Sequence, residues 1–592
     1  YLSLFLVGVL MVVQLARGAG VLALIQFALI LTVAAIPVAM PAVLSVTMAV
    51  GAVALSKMRA IVTRLESIEE MAGIDVLCSD KTGTLTENRL TLGDPVVIEA
   101  RDEAEVILAA ALASEPETGD AIDRAVIAGL PGGEVLSEYR RSGVVPFDPV
   151  SKRTSAEVSR DGSSFTVTKG APQVVLELCH LGGEAAVHAN EAVASLAAKG
   201  YRTLGVARTE GGQQWRFLGL LPLSDPPRSD SAETIREATE HGIAVKMLTG
   251  DNTAIAAEVA DQVGLGHTIV PAGELLGDDP DADLTEAAMA RIESVDGFAE
   301  VFPEHKYTIV KALQARGHIV GMTGDGVNDA PALKQADSGV AVAGATDAAR
   351  AAADLVLTAP GLSVIVAAIE QARIIFERMN SYAIYRVTET IRIVLFVVAA
   401  MIGFDFCPIT AILIILLALF NDLPIMTIAI DHTPLDPKPV RWQMHRILSV
   451  STVLGSVGVV ETFFMLVLAK LWLHLSIPEI QSLIFLKLAI AGHLTLFVAR
   501  SRGPFWARPW PAPAMIWAAV STKVLATLLV AFGLGLVHTI SWPQIGFVWA
   551  YCIAWVFAED WAKLAVYRHL DLGGGHHRRF LGLLQEHLHA GA

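Results

Sequence analysis

The chain is poor in charge. Only 18% of its 592 residues are Asp, Glu, Lys or Arg, whereas 53% are hydrophobic. Average globular usage has closer to a quarter charged, so this balance points to a membrane protein. The charge that is present has the wrong sign for nucleic acid: the formal net charge is -16, and a phosphate backbone calls for a basic surface. Cysteine is scarce as well. Cys78, Cys179, Cys407 and Cys552 stand far apart with no Cys-x-x-Cys pair, which argues against bridged chemistry and gives no zinc signal. No Gly-x-x-x-x-Gly-Lys-Ser/Thr pattern occurs, so a nucleotide would not be held by a P-loop. The chain opens at Tyr1 inside an apolar run rather than at a methionine, and a preceding N-terminal part is therefore expected.

Long apolar runs lie near 1–16, 21–52, 382–402, 409–430, 448–472, 481–499, 513–537 and 543–566. Each approaches or exceeds the roughly 20 residues of a bilayer-spanning helix. The second is too long for one crossing, so its far end should protrude as a helical stalk. Basic residues set the orientation. Lys57, Arg59 and Arg64 follow the second run, Arg378 and Arg386 flank the third, and Lys438, Arg441 and Arg446 lie between the fourth and fifth. Arg500, Arg502 and Arg508 follow the sixth, and Lys563 and Arg568 end the eighth, while the alternate connections near 403–408, 473–480 and 538–542 carry no Lys or Arg. The positive-inside rule places the polar middle, 53–380, in the cytoplasm.

That middle alternates short apolar runs with helical patterns, as an α/β domain does. Three runs end alike. Ile74-Asp75-Val76-Leu77-Cys78-Ser79 leads into Asp80, Val245-Lys246-Met247-Leu248-Thr249 into Gly250-Asp251, and Ile319-Val320-Gly321-Met322-Thr323 into Gly324-Asp325-Gly326. Parallel strands that deliver acids at their carboxyl ends build a site at that edge of the sheet. Between the first two runs lies an insertion, 94–222, with alternating strands of its own.

Asp80-Lys81-Thr82-Gly83-Thr84-Leu85-Thr86 matches the phosphorylation motif of P-type ATPases. Thr249-Gly250-Asp251 and Gly324-Asp325-Gly326-Val327-Asn328-Asp329 resemble that family's other two core motifs, in the right order. The resemblance covers essentially the whole chain. It implies an α-helical transmembrane bundle joined to a cytoplasmic haloacid-dehalogenase-like, Rossmannoid phosphorylation domain (53–93 and 223–380). An α+β nucleotide-binding domain (94–222) is inserted in it. Two spans would occupy 1–52, six would occupy 381–567, and 568–592 would form a short cytoplasmic tail. By the same resemblance Asp80 is the nucleophile, and Mg²⁺ is held by Asp80, the Thr82 carbonyl and Asp325. Thr249 and Gly250 donate to phosphoryl oxygens, and Lys306 in Pro303-Glu304-His305-Lys306 offsets developing charge with Asn328 nearby. Lys81, Asp251 and Asp329 complete the motif residues. A carboxylate nucleophile suits this chemistry because it splits hydrolysis into two steps, and anion attacking anion needs fixed positive charge.

Pro146-Phe147-Asp148-Pro149 with Lys152-Arg153, Lys169-Gly170-Ala171-Pro172 and Arg202-Thr203-Leu204 resemble the family's nucleotide pocket. Phe147 would stack on adenine, Lys169 beside Gly170 would line the pocket, and Arg202 would reach the phosphates. Asp120 is a candidate acceptor for the adenine amino group. Asp225-Pro226-Pro227-Arg228 resembles the hinge back to the phosphorylation domain. The implied partners are ATP, a transported cation and the bilayer of the plasma membrane.

For the cation, the second run contains Ile36-Pro37-Val38-Ala39-Met40-Pro41. Pro37 would free the carbonyl of Val33 and Pro41 that of Pro37, giving a broken helix of the kind that builds cation sites; a simple kink is the alternative. The fourth run carries Asn421-Asp422, an acid inside apolar sequence. The third offers Arg392, with Glu389 as an i,i+3 partner. These are too few hard ligands for Ca²⁺ and no soft ones for copper or zinc. One carboxylate with Arg392 near it is enough for a proton, and Ile36–Met48, Ile68–Glu87 and Asn421–Ile428 resemble the plasma-membrane proton pumps. Glu389 departs from that pattern, which leaves open a pump for another cation such as Mg²⁺. A truncated ATP-binding protein that does not transport is the third reading. The family's Thr-Gly-Glu actuator loop is expected before Tyr1; Thr118-Gly119-Asp120 lies after the phosphorylation motif and ends in the wrong acid. His576-His577 is read as part of a solvated tail.

Overall fold

The computed structural model describes residues 39–115, 120–130, 133–148, 150–160, 162–210, 214–276 and 284–589, side chains to 570, and a few scattered positions before 39. The chain divides into two compact units, one of 1–54, 370–436 and 440–592, the other of 55–369 and 437–439.

The second unit holds two sheets. The larger has eight strands in the order Ala60–Val62, Leu355–Leu357, Ser338–Ala341, Val320–Gly324, Val76–Asp80, Ala244–Leu248, Gly297–Ala299 and Ile269–Pro271. All pair in parallel except Ala60–Val62 against Leu355–Leu357. Its central strands read as continuous apolar runs because helices cover both faces. Val76, Cys78, Leu248, Phe298, Val320 and Met322 are buried with Ile309 and Leu313 of the helix Pro303–Ala315.

The smaller sheet lies between Val76–Asp80 and Ala244–Leu248 in sequence and is antiparallel. Thr91–Leu92, Gln214–Ser224, Arg202–Glu210, Ser163–Gly170, Arg153–Arg160 and Arg140–Asp148 follow one another, and Val96–Val97 also pairs with Gln214–Ser224. Its strands begin at Thr91 and end at Ser224, slightly outside 94–222. The two connecting segments are tied together. Thr86 bridges to Pro227, and Asp225 accepts the Thr86 hydroxyl at 2.5 Å and the Arg89 amide at 3.0 Å.

Among the described residues, six helices are long and apolar enough to cross a membrane: Met40–Lys57, Leu362–Phe404, Ala411–Ile430, Met444–Trp472, Ile477–Ala499 and Pro513–Phe532. The expected span 543–566 lies in the helix Trp542–His589, which is not among the six and whose backbone continues through His576 and His577. Pro513–Phe532 stops short of 537, because Gly533 takes a left-handed φ of 73° that ends a helix readily. The run 1–38, Pro37 included, falls outside the described residues apart from scattered positions. Pro41 stands in the first turn of Met40–Lys57.

Candidate active site

Asp80 ends the central strand of the parallel sheet. Leu248 is its register partner on one side, and Met322 pairs with Cys78 on the other, so the segments after Leu248 and Thr323 emerge at the same edge. Beyond Asp80 the backbone is extended at Thr82 and left-handed at Gly83, φ 75°, a conformation glycine adopts without strain. The Asp80 amide donates to Thr323 Oγ1 at 2.8 Å. Sequence reading passed over Thr323, although it is the last side chain before Gly324-Asp325.

Three carboxylates meet there. Asp80, Asp325 and Asp329 each offer an oxygen within 4.8 Å of the others. Lys306 faces two of them, 3.4 Å from Asp80 and 2.8 Å from Asp329. Asp329 is further committed: its Oδ2 accepts the amides of Asp325 at 3.1 Å and Gly326 at 3.0 Å. A side chain at Gly324 would meet it, since a Cβ there would lie 2.5 Å from Asp329 Cβ. Burial pushes the Asp80 carboxyl up to about 6, with Asp329 and Asp325 adding to the rise and Lys306 opposing it. Burial and Asp329 likewise raise Asp325. Burial alone would lower Lys306, yet Asp80 and Asp329 hold its ammonium above the ordinary value. Asn328 is exposed on the same turn.

Asp251 belongs to a second ionic group. It accepts from Lys81 at 2.6 Å and from Arg202 at 2.9 Å. Although burial works against ionisation, these two cations keep its carboxyl below the usual range. Thr249 is buried and its Oγ1 accepts the Asp251 amide at 3.2 Å, while Gly250 is exposed. Arg202 and Asp251 line a cavity of about 260 Å³ with Gln173, Tyr201, Thr203 and Asn252.

On the antiparallel sheet, Phe147 is 63% exposed. Lys152 sits in the following turn with a left-handed φ of 49°. Gly170 packs against that turn so closely that a Cβ would lie 2.4 Å from the Lys152 carbonyl oxygen. Lys169 is buried rather than open, bonded to Asp123 and, at 2.5 Å, to Ser114 Oγ. Burial lowers its ammonium, against the pull of Asp123. Neither Asp123 nor Ser114 was singled out from sequence. Asp120 caps the helix Ala121–Ala128, accepting the amides of Ile122 at 2.8 Å and Asp123 at 3.1 Å.

In the helical unit the expected pairing is corrected. Asp422 is held by Arg386 at 3.2 Å. Arg392, fully buried, joins its expected i,i+3 partner Glu389 at 2.7 Å and, in place of Asp422, Thr495 at 2.7 Å and Glu559. Arg386 and Arg392 are six residues, about 9 Å, apart along one helix, and each is committed to a different acid. Pro424 interrupts the helix that carries Asn421 and Asp422, which tightens to a 3₁₀ turn at Met426–Ile430; lacking an N–H, it removes the bond Phe420 would otherwise accept.

Residues 74–337 match the family model described as haloacid dehalogenase-like hydrolase. The chain is 48% identical over 577 residues to a protein of Methanocaldococcus jannaschii named "Putative cation-transporting ATPase", covering 96% of this chain and 71% of that one. It is 41% identical over 535 residues to the "Plasma membrane ATPase" of Kluyveromyces lactis, covering 87% of this chain and 59% of the yeast protein. The chain belongs to the P-type ATPases and is related to the plasma-membrane pumps. It is a multi-pass membrane ATPase of the cation-transporting kind.

Proposed function

We propose that this P-type ATPase exports protons, driven by an aspartyl-phosphate cycle at Asp80. The observation that carries the catalytic half is the cluster at the sheet edge, with Asp80, Asp325 and Asp329 within 4.8 Å and Lys306 as the lysine facing it. An Asp80 carboxylate oxygen attacks the γ-phosphorus of ATP; the new O–P bond forms as the bond to the ADP oxygen breaks. Lys306, held by Asp329, offsets charge at Asp80. Thr249 and Gly250, which follow the neighbouring strand, donate to the phosphoryl oxygens.

The donor set fits Mg²⁺, a hard cation that takes one or two carboxylates and otherwise waters and phosphate oxygens. Asp329 is occupied by two amides and Lys306, so Asp80 and Asp325, with the Thr82 carbonyl, would hold the ion. When bound it would neutralise charge on the transferring phosphoryl group. ATP is proposed to enter along Phe147, Lys152 and Gly170, with Lys169 below them and Arg202 turning to the phosphates.

For transport, the support is Asp422, which lines a cavity of about 450 Å³ with Arg386, Glu389 and Asn421. Arg386 takes the role the sequence assigned to Arg392, a cation that favours release of the proton. Labelling with radioactive ATP and Mg²⁺ in lipid tests the cycle. Wild type should form an acid-stable, hydroxylamine-labile phosphoenzyme and Asp80→Asn should form none; a labelled Asp80→Asn would refute the nucleophile, and a pump completed with its actuator segment that moves another cation in place of protons into inverted vesicles would refute the cation.

A further inference from the structure

Among the described residues of the helical unit, each buried carboxylate has a basic partner. Glu377 meets Arg502 at 3.3 Å, Asp431 meets Arg500 at 2.9 Å, Glu461 meets Lys487 at 2.9 Å and Asp560 meets Lys563 at 2.8 Å. Glu389 and Glu559 share Arg392. Two cations then converge on Asn421 and Asp422. Arg386 holds Asp422 at 3.2 Å, and Lys523, only 4% exposed, donates to Asn421 Oδ1 at 3.0 Å.

A lysine side chain has donors and no acceptor when charged, so the Asn421 amide must turn its single oxygen toward it. The far side of that amide is confined too: a Cβ at Gly492 would lie 2.9 Å from Asn421 Nδ2. Turning the amide over would set its NH2 donors against the Lys523 ammonium, so the oxygen stays toward the lysine. Adjacent oxygen-bearing residues of the cavity are thus each occupied by a cation built into the chain, from Leu362–Phe404 in one case and Pro513–Phe532 in the other.

We propose that Lys523 and Arg386 are specificity-determining residues that exclude metal cations from this cavity by occupying the oxygens of Asn421 and Asp422. The inference rests on the proton reading above and names what enforces it. Charge does not discriminate, because a proton and an alkali ion each bring one unit. Ligand number does. A metal ion that sheds its water needs several oxygens around it, whereas a proton makes one covalent bond to one carboxylate oxygen. With Asn421 Oδ1 taken by Lys523 and one oxygen of Asp422 facing Arg386, a proton still finds the other Asp422 oxygen. A metal ion does not find a cage.

The test uses the purified protein in lipid at fixed pH, with and without added Na⁺ or K⁺. Wild-type ATPase turnover should be insensitive to either ion. Lys523→Met frees the Asn421 oxygen and removes a competing cation, so its turnover should rise severalfold with Na⁺ or K⁺. Lys523→Arg, which keeps a donor there, should stay insensitive. Radioactive Na⁺ binding is read in parallel, so that a variant too slow to turn over still reports; Lys523→Met should bind the ion and wild type should not. If Lys523→Met labels at Asp80 but neither binds Na⁺ nor responds to it, the exclusion role is overturned while the proton reading stands. If the wild type itself requires Na⁺ or K⁺, the proton reading fails and the inference falls with it.

Discussion

At the edge of the parallel sheet three carboxylates, Asp80, Asp325 and Asp329, share one lysine; between the helices each buried carboxylate among the described residues has a basic partner. The first arrangement carries a surplus of two negative charges when all three acids are ionised. Burial first, and then the neighbouring carboxylates of Asp329 and Asp325, push Asp80 up to about 6 against the pull of Lys306. Such a surplus suits the divalent cation proposed for it. The second arrangement is complete as it stands, and removing one member would leave a charge stranded in a medium that penalises it. The same residue types therefore serve opposite ends: surplus charge invites a metal ion, balanced charge keeps one out and ties helices together.

Removing one acid from each region should break the symmetry most visibly. Glu461→Gln leaves the fully buried Lys487 without its carboxylate and should destabilise the helical unit by about 3 kcal/mol or more, read as a lowered melting temperature in detergent. Asp325→Asn relieves like-charge repulsion, so the same measurement should show no loss of stability, while Mg²⁺-dependent labelling at Asp80 falls steeply. Equal melting of the two variants would mean that the contrast is not energetic. A smaller effect comes from Gly458, where a Cβ would sit 2.0 Å from Arg392 Nε. Gly458→Ala should displace that guanidinium at about 1–3 kcal/mol, lowering the melting temperature with nucleotide binding unaltered. The mildest is Asp120→Ala, which removes a helix cap at about 1 kcal/mol. If capping is its whole task, ATP affinity will not change; a marked loss of affinity would return Asp120 to the adenine site.

The sheet edge was legible in the sequence because its geometry follows from local pattern. Three apolar runs that each end in an acid can share an edge only as parallel strands, and Val76–Asp80, Ala244–Leu248 and Val320–Gly324 do share one. Asp329 could be named from its motif, but not its bonds to two backbone amides, which depend on how tightly the turn after Gly324 closes. Between the helices the pattern says less. Glu461, Lys487 and Lys523 stand singly inside apolar runs and Glu559 stands beside Asp560, all visible as anomalies, yet nothing local pairs Lys487 with Glu461 or Lys523 with Asn421. The choice of Arg386 over Arg392 for Asp422 is a matter of helix rotation, which residue types along one helix do not determine. Lys169 is a related case: its place on a strand can be read, whereas its burial on Asp123 depends on a helix some fifty residues earlier.

The ion pair between Arg202 and Asp251 joins the two sheets of one unit. If ATP takes Arg202 as proposed, its phosphates must first win the guanidinium from a carboxylate that already holds it. Nucleotide binding is then an exchange of one anion for another rather than the filling of a vacant site. Its apparent affinity is the intrinsic affinity scaled by the fraction of molecules in which Arg202 has let go. Because the Arg202 side chain is 57% exposed, that fraction rises with ionic strength as the pair is screened. Salt would act on the enzyme in two opposed ways, loosening the resting latch while weakening the grip on the phosphates.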